Sequence, residues 1–164
     1  TLNTDAASQG SSSTYYQSTD PSSSLFYLGS NTRANASGAA TVAYCFAEIP
    51  GYSKIGKYKG SAAADGPMIT LGFKPAFVLL KSVSTTNWNI FDNKRYGYNG
   101  KNNTLFADLN NAQDTEYDRM EFYSNGFKIR STNAQVNNDN TDIIYMAFAE
   151  APLVGSNNVP ANAR

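Results

Sequence analysis

Apolar and polar residues alternate in short runs along most of this chain, and turn residues separate the runs. No segment shows a convincing period of 3.6, which a helix with one buried face would give. The pattern predicts strands near residues 25–28, 41–48, 52–59, 67–71, 76–81, 87–92, 120–123, 127–130 and 143–149, with a strand or a short helical turn at 105–109. About eight short strands per unit predict an all-β fold, an antiparallel β-sandwich of jelly-roll-like form.

Three local patterns make sharper predictions. Residues 76–81 form the most apolar run and are expected to be the central strand. In residues 87–92 the alternation places Trp88 and Ile90 on one buried face. The dipeptide Asn125-Gly126 predicts a tight hairpin turn, because it supplies the positive φ values that such turns need.

A stretch near the N-terminus aligns without a gap on a stretch near the C-terminus, at an offset of 102 residues. The identical pairs are Asn31/Asn133, Phe46/Phe148, Ala47/Ala149, Glu48/Glu150 and Pro50/Pro152. Such a repeat indicates one structural unit used more than once. Chains that present one unit in series are more often binding or scaffolding proteins than enzymes.

The repeat divides the chain into three expected parts. Residues 1–50 are the second half of a preceding unit, supplying either strands that pack with the main domain or half of a second sandwich. An upstream partner has then been removed, or the half-unit belongs to a longer array. Residues 51–152 are a complete sandwich unit, and residues 153–164 are a polar tail.

Composition excludes several functions. The formal net charge is zero and only 16% of residues are charged, so no electrostatic footprint for nucleic acid exists. No apolar run reaches the roughly 18 residues of a membrane span, so no membrane insertion is expected. The chain has no His, which removes His-dependent nucleophiles and His metal ligands. Cys45 is the single cysteine and is interpreted as a small core residue.

Acidic and amide residues suggest two further hypotheses, a hydrolytic site and a calcium site, and for each a purely structural explanation is simpler. A carboxylate pair for hydrolysis requires two matched acids across a cleft, whereas solvated charges on a loop explain the candidates Asp108, Asp114, Glu116, Asp118 and Glu121. Residues 137–142 space oxygen ligands as a calcium loop does, but they lack the glycine and the distal Glu of an EF-hand, so a polar turn is the favoured interpretation. We therefore predict no enzyme activity, no catalytic residues, no metal and no cofactor.

The loop after residue 91 holds the densest chemistry. Aromatic faces stack on sugars and amides bind hydroxyl groups, so we predict a ligand-binding site at Trp88, Asp92, Asn93, Arg95, Tyr96, Tyr98 and Asn99. An ion pair between Asp92 and Arg95 that only fixes the loop is an equally weighted alternative. Glu48 and Glu150 follow strand ends at equivalent repeat positions, where a structural hydrogen-bonding role is expected.

Several stretches in combination resemble C-terminal modules of bacteriophage tail fibres, particularly those of marine and cyanobacterial phages. They are residues 42–58, Asp65-Gly66, residues 72–81, Trp88, residues 92–95, 124–130 and 144–150. The resemblance implies an extracellular virion appendage, a homotrimer that joins other tail proteins and adsorbs to a glycan or protein on the host surface. Competing classes are a structural connector or decoration unit of the virion and, less favoured, a glycan depolymerase.

Overall fold

The computed structural model describes residues 15, 17, 19–95, 99–100, 103–116 and 118–151. The chain divides into two units. The smaller lies within Gln9–Phe46, and the larger contains the described residues from Ala47 onward.

The larger unit is built from antiparallel strands. Those within the described residues are β1 (Ser53–Lys59), β2 (Met68–Thr70), β3 (Pro75–Ser82), β4 (Asn89–Asp92), β5 (Leu105–Phe106), β6 (Met120–Tyr123), β7 (Gly126–Ile129) and β8 (Asp142–Ala149). A five-stranded sheet has the order β1-β8-β3-β4-β5, and a three-stranded sheet has the order β2-β7-β6. A single helical turn, Ala134–Asn137, precedes β8.

The two sheets share one apolar core, which confirms the predicted all-β sandwich. Phe127 of the smaller sheet makes edge-to-face contacts with Tyr145 and Tyr58 of the larger, at ring-centroid distances of 5.7 and 6.3 Å. The buried core side chains are Ile69, Leu71, Phe73, Val78, Leu80, Phe91, Met120, Phe122, Phe127, Ile129, Val136, Ile143, Tyr145 and Ala147. Burial of this apolar surface is the main force that holds the sheets together.

The most apolar run of the chain is the middle strand of the larger sheet, as predicted. β3 pairs with β8 on one side and with β4 on the other. Lys81, near the end of β3, is polar yet buried. Its ammonium donates to the carbonyls of Ser84 and Thr86 at 3.0 and 2.7 Å. Hydrogen bonds of this kind offset the cost of taking a charge out of water.

The face predicted for β4 is wrong. Asn89 and Phe91 point into the core and are fully buried, whereas Ile90 lies on the other face and Trp88 precedes the strand. Asn89 is satisfied there, since its side-chain amide donates to the carbonyl of Asn87 at 2.9 Å and its side-chain oxygen accepts from Arg119 at 3.2 Å. A buried polar residue with such partners costs little.

The predicted hairpin is confirmed as β6–β7, but for a different reason. Tyr123 pairs with Gly126, so Ser124 and Asn125 form the turn. Gly126 begins β7, and a Cβ on it would lie 2.0 Å from the carbonyl oxygen of Ile69. Glycine is therefore needed for the close approach of β2, not for a positive φ.

β1 ends the strand order of the larger sheet among the described residues, and its exposed face carries Lys57 and Lys59 beside the apolar Ile55. Lys57 and Lys59 both pair with Asp142 on β8, at 2.9 and 3.0 Å. The three charges lie on one face of β1 and its neighbour β8.

The smaller unit does not form its predicted strands. Residues 25–28 and 41–48 are irregular, and the regular element among the described residues is the helical turn Thr32–Asn35. A strand needs a backbone ladder with a neighbouring strand. The hydrogen bonds given for these segments are isolated ones, such as those from the Ser22 amide to the Leu25 carbonyl and from the Ser53 hydroxyl to the Ala47 carbonyl. Cys45 is exposed, so its assignment to a core is also wrong.

Candidate functional site

The predicted ligand-binding residues gather at the end of β4 and in the loop that follows it. Asp92 ends the strand, Asn93 and Arg95 follow it, and Trp88 precedes it. Tyr96 and Tyr98 lie outside the described residues.

Asp92 folds the start of the loop back on itself. Its Oδ1 accepts from the backbone amides of Lys94 and Arg95 at 2.9 and 2.8 Å, and its Oδ2 accepts from Nε of Arg95 at 2.6 Å. Partial burial alone would raise the pKa of Asp92, but these hydrogen bonds from Arg95 and Lys94 hold it below its ordinary value. The geometry thus contains the loop-fixing ion pair that the sequence offered as an alternative.

Asn93 is buried and joins the loop to the end of β8. Its backbone amide donates to the carbonyl of Ala76 at 3.0 Å, and its side-chain amide donates to Oε1 of Glu150 at 2.8 Å. Glu150 also pairs with Lys74 at 2.6 Å, while the exposed Lys94 stands 3.9 Å away. The expected structural role of Glu150 is therefore confirmed, and the sequence missed its partners.

The far side of the loop is held at Asn99. Its side-chain oxygen accepts from the backbone amide of Phe122 on β6 at 3.0 Å. Trp88 is half-buried, and its backbone bonds to the Asp108 side chain and the Ala107 amide, both at 3.1 Å. Asn93 and Asn99 thus anchor the loop on both sides of positions 96 and 98.

Within the described residues, several buried side-chain atoms have no hydrogen-bond partner in the protein. Among them are Nε1 of Trp88, Oδ1 of Asn93, Oγ1 of Thr104 and Oδ2 of Asp108.

A buried ion pair beside β4 was not predicted from the sequence. The Arg119 guanidinium is 3% exposed and pairs with Asp114 at 2.6 Å, above the ring of Phe106. Asp114 therefore is not simply a solvated loop charge. Asp114 lies five residues before Arg119, but the second partner, Asn89 on β4, is 30 residues away, so the sequence does not mark Arg119 as buried.

The other acidic candidates do not form an isolated pair. Glu121 accepts from the Tyr123 hydroxyl at 2.6 Å and faces Arg130 at 3.4 Å. Burial, with the charge of Glu121, raises the pKa of Asp118 above its ordinary value.

The calcium-like stretch 137–142 is a structural turn where it begins. Asn137 is fully buried, and its side chain bonds to the carbonyls of Ala63 and Ser131 and to the amide of Ser61, each at 2.8 Å. Among the described residues, no group of three or more acidic or cysteine side chains could hold a metal ion.

The helices of the described part of the chain are all too short to cross a membrane. The described residues thus form an all-β sandwich with an anchored polar loop at the end of β4. The chain belongs to the family described as Domain of unknown function (DUF7483), which it matches over residues 1–152. No curated protein and no solved structure matches the chain.

Proposed function

We propose that this chain is a non-enzymatic module of a bacteriophage tail fibre, and that the loop of residues 92–99 binds a glycan or protein on the host surface. The sequence resemblance to tail-fibre modules supports the class. The proposal includes a homotrimer attached to other tail proteins in an extracellular virion.

The double anchor of the loop is the observation that carries the binding role. Asn93 and Asn99 fix the backbone to β8 and β6, and Tyr96 and Tyr98 lie between them in sequence. A loop held at both ends loses less conformational entropy when it binds, which favours affinity. Lys94 adds an exposed cation beside it.

A structural connector of the virion is the second candidate. It is favoured by the exposed apolar side chains of the N-terminal stretch, which include Val42 and Tyr44. Apolar side chains on a surface are typical of contacts with other proteins.

The test combines mass and binding on one sample. Light scattering gives the oligomer number, and the same protein is tested for binding to candidate host cells. A trimer whose binding is lost on changing Tyr96 and Tyr98 to Ala supports the receptor-binding function. Tyr44→Ala is the matched control, because it removes an exposed tyrosine outside the loop. A chain that binds no cells, or whose loop variant binds normally, contradicts the proposed site and favours the connector.

A further inference from the structure

Two helical turns that lie 102 residues apart share one geometry. Asn31 caps the turn Thr32–Asn35 with φ −67° and ψ 125°, and Asn133 caps the turn Ala134–Asn137 with φ −62° and ψ 125°. Each cap accepts a hydrogen bond at 2.9 Å from the amide two residues on, in Arg33 and in Gln135. The local structure therefore recurs at the same offset as the sequence match.

The segment after the second turn is β8, a strand with two apolar faces. Tyr145 and Ala147 face the core and are 6% and 0% exposed. Ile144, Met146 and Phe148 alternate with them and lie on the opposite face of the sheet. β8 is paired on both sides, with β1 and with β3, so that Met146 lies between Ile55 and Leu79.

The segment after the first turn has the same pattern without the same neighbours. Val42, Tyr44 and Phe46 are the counterparts of the outer residues of β8, and they are 75%, 79% and 54% exposed. Ala43 and Cys45 are the counterparts of the core-facing residues, and they too are exposed. Residues 41–48 are irregular, and an exposed apolar segment with the alternation of a strand can add to the edge of a sheet.

We propose that residues 24–48 are the closing part of another unit of this fold, and that residues 41–47 bind as its eighth strand. Their partner is a sheet of the same family, which supplies one strand equivalent to β1 and one equivalent to β3. The inference does not rest on receptor binding.

The equivalence also assigns partners to Glu48. In the complete unit Glu150 pairs with Lys74 and accepts from Asn93. Glu48 instead accepts from the backbone amide of Ile55 at 3.0 Å. In the completed unit, the counterparts of Lys74 and Asn93 from the partner sheet take its carboxylate.

The core-facing side chains specify the partner further. Gly56 lies opposite Tyr145, and a Cβ there would stand 2.7 Å from the Tyr145 hydroxyl oxygen. The first segment has Ala43 in place of Tyr145, which leaves room. The strand of the natural partner that lies opposite Ala43 therefore carries a side chain larger than glycine.

The test supplies the missing strands. A second copy of residues 51–102, which contains β1 to β4, is fused directly in front of the complete chain, so that the 102-residue offset is kept. Hydrogen exchange of the amides in residues 41–47 is then measured in the hybrid and in the unextended chain. We expect exchange in the hybrid to slow by about 100-fold or more, toward the rate of β8, and to stay fast in the unextended chain.

Two variants keep the result decisive. Because the added copy carries glycine opposite Ala43, the hybrid is also made with Ala43→Tyr, which restores the β8 core side chain. Protection should then increase in the hybrid only. Cys45→Asp should abolish that protection in the hybrid and leave the unextended chain unchanged. If residues 41–47 exchange freely in both hybrids, or are equally protected without the added copy, the proposal is wrong.

Discussion

Gly56 of β1 and Tyr145 of β8 are paired across the ladder, and the tyrosine ring fills the space that a side chain at position 56 would need. A Cβ on Gly56 would lie 2.7 Å from the hydroxyl oxygen and 2.8 Å from Cζ of the ring. Tyr145 is buried and its ring packs edge-to-face against Phe127.

Gly56→Ala should therefore destabilise the unit by about 1–3 kcal/mol, because it overpacks the core. Urea unfolding measures the change. The matched control is the same substitution in a Tyr145→Leu background, where the clash is removed and the added cost should largely disappear. An equal cost in both backgrounds would contradict the assigned contact.

Asn93→Asp should cost about 2 kcal/mol, since it replaces the N–H donor with a charge that faces the Glu150 carboxylate. The two side chains have the same shape, so the change is electrostatic. Asn110→Asp makes the same chemical change at an exposed position and should be near neutral. Thermal unfolding of both variants gives the comparison, and similar losses would count against the Asn93–Glu150 bond.

Arg119→Leu should cost about 3 kcal/mol or more, because it leaves Asp114 without its buried partner. Arg130→Leu is the matched control, since Arg130 pairs with Asp65 at the surface and should cause a much smaller loss. Denaturant midpoints of the two variants measure the difference. Equal midpoints would show that the Arg119 pair contributes no more than a surface pair.

Asp92 makes stability depend on acid. Its pKa is lower in the folded chain than in the unfolded chain, so its contribution is complete above about pH 4 and is lost as the pH falls through the folded value. Asp92→Asn should reduce stability at pH 7 and flatten the loss between pH 4 and pH 2. Unfolding curves at these pH values test it, and an unchanged acid slope would refute the prediction.

Asp118 should act with the opposite sign. Burial raises its pKa, so ionisation at neutral pH disfavours the folded state. Asp118→Asn should make the chain more stable at pH 7, and the difference should vanish below about pH 4, where the carboxyl is protonated in both states. A variant that is less stable at pH 7 would show that the charge of Asp118 is favourable.

The alternation of residues predicted the strands of the larger unit well, because a strand with one buried face needs a period of two. It failed where a distant partner decides. Asn89 is buried, and its side-chain oxygen accepts a hydrogen bond from Arg119, which is 30 residues away. No local pattern in the sequence shows this partner. The strands expected at 25–28 and 41–48 are absent because the segment alone cannot supply a ladder.

The site divides in the same way. The pairing of Asp92 with Arg95 was foreseeable, since the two residues are three positions apart. The bond between Asn93 and Glu150 joins positions 57 apart, and only the fold brings them together. Several of the residues predicted to bind a ligand therefore hold the loop in place instead. Lys94, which was not predicted, is exposed beside them.

The charged edge of β1 has a consequence for copies that stand side by side. An open edge strand is a template on which sheets of neighbouring molecules can grow without limit. Lys57 and Lys59 place two ammonium groups, paired with Asp142, on one face of this strand, so a second copy of β1 docked beside it would bring lysines near lysines. Sheets of neighbouring copies should therefore not extend through β1.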